Sequence, residues 1–202
     1  EILSGLVGSE MCIRDRRLVL LHGWGATAAD LQPLGEQLAA QHPEPLDIVC
    51  LEAPEPHPQP GGRQWYGLFP SDWDAVPNAV QQLTTRLLDL SCDGIPLERT
   101  VLFGFSQGGA MALSCGCNLP LAGVISCSGY PHPDWAPPLD HPPVLAMHGS
   151  EDEIVPPGAL EMIKSRLHPE RYQGRLFKNG HTIPLEMMQP LHDTLQAMLK
   201  SP

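Results

Sequence analysis

The stretch that most constrains this chain is Thr100-Val101-Leu102-Phe103-Gly104-Phe105-Ser106-Gln107-Gly108-Gly109. Its first half is an apolar run of strand-like residues. The Ala110-Met111-Ala112-Leu113 that follows is good helix material. A strand that becomes a helix within so few residues needs a very tight turn. Gly104 and Gly108 leave room for one, because a Cβ at either position would crowd the facing backbone. Ser106, at the apex, is then expected in a strained conformation with its hydroxyl exposed, as in a nucleophile elbow. A Gly-x-Ser-x-Gly pattern also arises by chance in ordinary loops. A base, an acid and an oxyanion-binding loop at matching places in the chain would separate the two cases.

Strand-like runs alternate with helical patterns along the whole chain. Residues 17–21, 47–51, 122–127, 143–148 and 171–177 read as strands, together with the run before Ser106. Residues 28–41, 76–90, 107–117, 158–167 and 185–199 read as helices, with Leu31, Leu34 and Leu38, or Val80, Leu83 and Leu87, at helical spacing. The alternation predicts one α/β domain on a mostly parallel sheet with helices on both faces. In such sheets the functional groups gather at the C-terminal ends of the strands, so candidate residues should follow strands directly.

Three further stretches meet that condition: His22-Gly23-Trp24-Gly25, His148-Gly149-Ser150-Glu151-Asp152-Glu153-Ile154-Val155-Pro156, and Gly180-His181-Thr182. The resulting chain order, Ser106, Asp152, His181, is that of the α/β-hydrolase fold. A serine hydroxyl is a weak nucleophile until a base accepts its proton. His181 can do this near neutral pH and return the proton to the leaving group. Asp152, favoured over its neighbours Glu151 and Glu153, would fix the imidazole tautomer. The backbone N–H groups of Trp24 and Gln107 are the expected oxyanion donors, and the Gln107 side chain is expected to matter less than its amide. His22 is expected to pack beneath the oxyanion loop. His42, His57, His132, His141, His168 and His192 read as surface or structural residues. Trp24, Trp65 and Tyr130 are candidate substrate-binding aromatics, with Trp65 expected at the pocket mouth.

Composition narrows the partners. A net charge of −11 repels phosphate backbones, so nucleic-acid binding is not expected. No apolar run approaches membrane-spanning length, and no spacing suggests a metal or nucleotide site. No cofactor is therefore expected, and a cytoplasmic location follows from the lack of a clear signal peptide. Nothing fixes the oligomeric state, and a homodimer is one of the states the chain admits. The six cysteines read as reduced thiols, mostly in apolar segments. The 23 prolines, about twice the usual share, cluster over 43–60 and 131–143 and predict two long, stiffened loops above the serine. Residues 1–16 lack any sustained period, and Ser9 to Arg16 resembles translated sequencing-adapter read-through. They are expected to be non-native or disordered, leaving 17–202 as the catalytic domain.

Six motifs in order carry a family resemblance: Leu-His-Gly-Trp-Gly (21–25), Arg-Gln-Trp-Tyr (63–66), Gly-Phe-Ser-Gln-Gly-Gly (104–109), Ser-Gly-Tyr (128–130), the segment 148–156, and Gly-His-Thr-Ile (180–183). Together they resemble the phospholipase/carboxylesterase family of α/β-hydrolases, which holds small bacterial carboxylesterases and acyl-protein thioesterases. The resemblance implies a cofactor-free serine hydrolase with little or no lid, acting on small-molecule or lipid esters or thioesters. It carries over Ser106, Asp152 and His181 as a triad, with Trp24 and Gln107 at the oxyanion hole. Gly67 and Ala26 stand where the family often has Asp, which bears on substrate preference. The family usually has more strand before the first glycine turn, which implies an unpaired sheet edge here. Short- to medium-chain ester hydrolysis is the leading expectation, with thioesterase or lysophospholipase activity as its variant. A non-catalytic binding protein generally lacks a triad member, and this chain keeps all three. A dienelactone-type enzyme would carry cysteine at position 106.

Overall fold

Side-chain alternation along the strands builds the core of this protein on two faces of one sheet. The structure, a computed structural model, describes residues 14–200. Strands β1 (Arg16–Leu21), β2 (Leu46–Leu51), β5 (Thr100–Phe105), β6 (Gly123–Cys127), β7 (Val144–Gly149) and β8 (Tyr172–Phe177) form a six-stranded sheet in the order β2-β1-β5-β6-β7-β8. Every pairing in it is parallel. Successive strand residues point to opposite faces. Thus Val19, Leu102, Val124 and Ala146 enter one apolar cluster, while Leu18, Phe103, Ile125 and Met147 enter the other.

Helices cover both faces. α2 (Val76–Ser91), α3 (Gln107–Gly116) and α4 (Ala159–Lys164) seal the first cluster through Leu83, Leu87, Met111 and Ile163. α1 (Gln32–Gln41) and α5 (Met188–Met198) seal the second through Leu38, Leu191 and Leu195. This is the parallel sheet with helices on both faces that the alternation of elements predicts, and the α/β-hydrolase architecture that the motif resemblance implies. Two expected helices are divided: residues 28–30 and 185–187 are 3₁₀ turns that precede α1 and α5. Pro33 and Pro190 fall in the first turns of those helices, where a missing N–H costs little. Within the first proline-rich loop, β3 (Glu55–Pro56) and β4 (Arg63–Gln64) form a two-residue antiparallel pair that no sequence period announces.

Strand β1 begins one residue earlier than the sequence suggests. Arg16 opens β1, is buried, and donates from Nε to the Leu199 carbonyl at 3.0 Å. Asp15 pairs with both Arg16 and Arg99. Residues 1–13 of the segment expected outside the fold lie outside the described residues. Among the described residues the edge on this side is β2, not β1, and Asp47 on that edge accepts from Arg17 Nε at 2.7 Å. A charged group on an edge strand discourages pairing with another chain.

Leu102 sits fully buried at the sheet centre, whereas Leu88 on α2 is 46% exposed. Leu102→Ala is expected to lower the unfolding free energy by about 2–5 kcal/mol, and Leu88→Ala by about 0.5 kcal/mol or less. Denaturant titration of both variants checks this, and equal losses would contradict the placement of the core.

Candidate active site

One residue separates the central strand from its helix. β5 ends at Phe105, α3 begins at Gln107, and Ser106 between them has φ 54° and ψ −118°. A positive φ is costly for a residue with a side chain and persists only where its surroundings enforce it. Here the Ser106 amide continues the sheet by donating to the Cys127 carbonyl at 2.9 Å, and all of α3 behind it is buried. A Cβ on Gly104 would fall on the carbonyl of Gly108, and one on Gly108 would fall on the carbonyl of Leu21. The elbow therefore closes only with glycine at both places.

The histidine and the acid meet Ser106 from two other strand ends. Asp152 follows β7 and His181 follows β8. Asp152 is buried while Glu151 and Glu153 are exposed, which settles which carboxylate faces inward. Its Oδ1 accepts from the amides of Ile154 and Val155, both at 2.9 Å. Its Oδ2 lies 2.8 Å from His181 Nδ1. An ionised carboxylate only accepts, so Nδ1 carries the imidazole proton. Nε2 is then left to accept from the Ser106 hydroxyl, 2.9 Å away. Burial pushes the Asp152 carboxyl up. The hydrogen bond from His181 and those from the Val155 and Ile154 amides outweigh burial, so its pKa is lowered and it stays ionised. The Phe105 ring packs on the imidazole with centroids 4.9 Å apart. His148, which sequence reasoning gave no role, lies buried 3.4 Å from Asp152 Oδ2 and is anchored on the Val155 carbonyl at 2.9 Å.

The His22–Gly25 loop faces the same serine. A Cβ on Gly23 would stand 3.2 Å from Ser106 Cβ. His22 lies beneath the loop, as expected: the Ala53 amide donates to its Nε2 at 3.0 Å, so Nδ1–H donates to the Gly23 carbonyl at 2.8 Å. Burial holds its pKa below the usual value, which keeps that tautomer neutral. The β3–β4 pair clamps the far side, with Gly25 N–H donating to the Arg63 carbonyl and Arg63 N–H to the Ala26 carbonyl, both 2.9 Å. Among the described residues the Trp24 amide makes no backbone hydrogen bond.

Two readings of individual residues need correction. Trp65 is not at the pocket mouth. It is 2% exposed, its indole N–H donates to the His22 carbonyl at 2.9 Å, and it supports the loop from below. An indole inside a protein needs an acceptor, and this one finds it under the loop. The Gln107 side chain is not incidental either. Wholly buried, it accepts from the Trp65 amide at 3.0 Å and donates to the Tyr66 carbonyl at 2.8 Å. It thus ties the segment after β4 to the first turn of α3.

A cavity of about 770 Å³ stands above the serine. Trp24, Leu68, Phe69 and Trp73 line one side, Tyr130 and Pro131 another, and Ile154 and Met162 a third, with Ser106 and His181 among its walls. Of the two proline-rich regions only the second reaches the cavity, through Pro131; no residue of 43–60 lines it, and Leu68, Phe69 and Trp73 stand there instead, with the Ile154–Met162 wall coming from the stretch after Asp152. Phe69, Trp73, Ile154 and Met162 are exposed around it. Behind Tyr130 runs a polar chain that sequence reasoning missed. Tyr130 and Tyr66 hydroxyls lie 2.8 Å apart, Tyr66 reaches His132 Nε2 at 2.8 Å, and His132 Nδ1 reaches Ser114 Oγ at 2.6 Å. Such long-range polar contacts leave no local pattern to read.

The model of the phospholipase/carboxylesterase family matches residues 13–199, and the chain belongs to that family. It is a hydrolase of the carboxylesterase and thioesterase type. The chain is 31% identical to esterase YpfH of Escherichia coli over 184 residues, covering 86% of this chain and 74% of that protein. It is 30% identical to acyl-protein thioesterase 1 of Yarrowia lipolytica over 161 residues, covering 68% and 70%. The crystal structure of esterase PE8 superposes with a TM-score of 0.76 at 29% identity, covering 92% of this chain and 94% of that one. Among the described residues no helix is long and apolar enough to cross a membrane.

His132 makes the site sensitive to acid. Burial lowers its pKa to about 4, while an unfolded histidine titrates near 6.5. Between those values the unfolded chain binds the extra proton, so stability falls as the pH drops through that window. The wild type is expected to lose about 3 kcal/mol more between pH 7 and pH 4 than His132→Gln. Parallel stability curves from denaturant unfolding across that range would contradict a neutral, buried His132.

Proposed function

We propose that Ser106, His181 and Asp152 act as a catalytic triad, and that the protein hydrolyses carboxylic esters of short to medium acyl chains through an acyl-enzyme on Ser106. The observation that carries this reading is the unbroken Ser106–His181–Asp152 chain, at 2.9 and 2.8 Å, on the wall of the 770 Å³ cavity. His181 Nε2 takes the hydroxyl proton as Oγ attacks the ester carbonyl. Asp152 stabilises the imidazolium that results. The oxyanion of the tetrahedral intermediate accepts from the Trp24 and Gln107 amides, the second of which stands at the positive N-terminal end of α3. Collapse expels the alcohol, which leaves with the proton from His181. Water, deprotonated by the same nitrogen, then releases the acid and frees Ser106. No step requires a metal or cofactor. The cavity lies within the range of small-ligand sites, and its mainly apolar walls suit an acyl chain.

A second reading is supported by the relatives named acyl-protein thioesterase 1, at 30% and 24% identity. A thiol leaving group uses the same triad and oxyanion donors, so the two readings differ only in what departs.

Ser106→Ala is expected to lower kcat for ester hydrolysis by about 10⁶-fold. The rate is measured on a panel of acyl esters and thioesters from about two to sixteen carbons, of the drug-sized and smaller classes such cavities hold. Full activity in Ser106→Ala would end the assignment. The chain-length optimum of the wild type, and the ratio of thioester to ester rates, separates the two readings.

A further inference from the structure

The cavity above Ser106 is mainly apolar, and among the described residues most of its polar side chains are engaged, the indole N–H of Trp73, a residue 40% exposed, being one that is not. Trp24 Nε1 donates to Gln64 Oε1 at 2.9 Å, and Ser71 Oγ donates to the Leu68 carbonyl at 3.1 Å. Ser106 and His181 hold each other. Tyr130, on the cavity wall, differs, because its hydroxyl has one hydrogen-bond partner, Tyr66, and whether its proton is spent on that partner depends on the polar chain behind it.

The proton positions along that chain follow from counting donors. His132 is neutral at physiological pH, so one ring nitrogen donates and the other accepts. If Nδ1 carried the proton, it would donate to Ser114. Tyr66 would then donate to Nε2 and Tyr130 to Tyr66. Ser114, a buried residue, would be left with a hydroxyl proton and no acceptor among the described residues. With the proton on Nε2 the protons of Ser114, His132 and Tyr66 are all donated within the chain. Ser114 donates to Nδ1 at 2.6 Å, Nε2–H donates to Tyr66, and Tyr66 donates to Tyr130. The Tyr130 proton is then the one left over. Burial pushes the Tyr130 hydroxyl up to about 12 and holds Tyr66 higher still, so both remain protonated donors at neutral pH.

We infer that Tyr130 is a specificity-determining hydrogen-bond donor, set by the Ser114–His132–Tyr66 chain, and that the preferred substrates carry an acceptor oxygen, such as a keto group, on the acyl chain. An aliphatic acyl group leaves this donor unsatisfied within an apolar wall, whereas an oxygenated one accepts from it. Tyr66, His132 and Ser114 are positioning residues, since they act through Tyr130. The inference rests on the esterase reading above.

The test uses p-nitrophenyl esters in matched pairs, each an unbranched acyl chain and its isostere with one CH₂ replaced by C=O, the keto position being walked along the chain. The quantity read is the ratio of kcat/KM for the keto ester to that for its aliphatic partner. At the best keto position, Tyr130→Phe is expected to lower that ratio about five- to tenfold. His132→Phe alters no residue of the cavity wall yet removes the group that sets the direction. It is expected to lower the same ratio by about two- to threefold, a change that a purely steric role for Tyr130 would not produce. A ratio that Tyr130→Phe leaves unchanged at every keto position, while the wild type hydrolyses the aliphatic esters, overturns the inference. Failure of the wild type to hydrolyse any ester of the set removes instead the esterase reading beneath it.

Discussion

One positive-φ residue, Ser106, sets the geometry on which the rest of the site depends. Holding a serine at φ 54° costs about 1–3 kcal/mol. That cost is met by β5 in the interior of a six-stranded sheet and by a helix buried along its whole length. The backbone of α3 approaches β5 and the end of β1 so closely that Gly104 and Gly108 admit no side chain. Moving any of these elements would move the hydroxyl. The buried sheet centre is thus the mount for a strained residue.

Around that mount, buried polar groups fix distances that apolar packing alone would leave loose. Asp152 is held by two amides before it meets His181. His22 and Trp65 prop the Gly23–Gly25 loop from beneath, and the Gln107 side chain joins Trp65 and Tyr66 to the first turn of α3. A buried network of this kind specifies one arrangement only when every donor and acceptor is used. The chain from Ser114 to Tyr130 uses its interior donors in the same way but ends with one proton unspent, on Tyr130 at the cavity wall.

Most of the fold was legible because it is written in short-range patterns. Apolar runs of five or six residues with helical stretches between them define the parallel sheet, and the motifs at strand ends define Ser106, Asp152 and His181. What escaped depends on distant contacts. The β3–β4 pair has two residues a side, too few for any period to register. Trp65 looks like a mouth residue because it stands in a loop, yet its indole is consumed by the His22 carbonyl. Gln107 looks replaceable because only its amide belongs to the motif, yet its side chain is fully buried and doubly bonded. The start of β1 at Arg16 is fixed by partners at positions 44 and 199, far along the chain.

The central claim is that the serine at the elbow is the nucleophile and that His181, held by Asp152, activates it. Fluorophosphonate labelling followed by peptide mapping reads this directly. The account predicts one adduct per chain, on the peptide that holds Ser106, with a labelling rate that falls in Asp152→Asn in step with ester hydrolysis. An adduct on a different residue, or unlabelled protein that still hydrolyses esters, would contradict it.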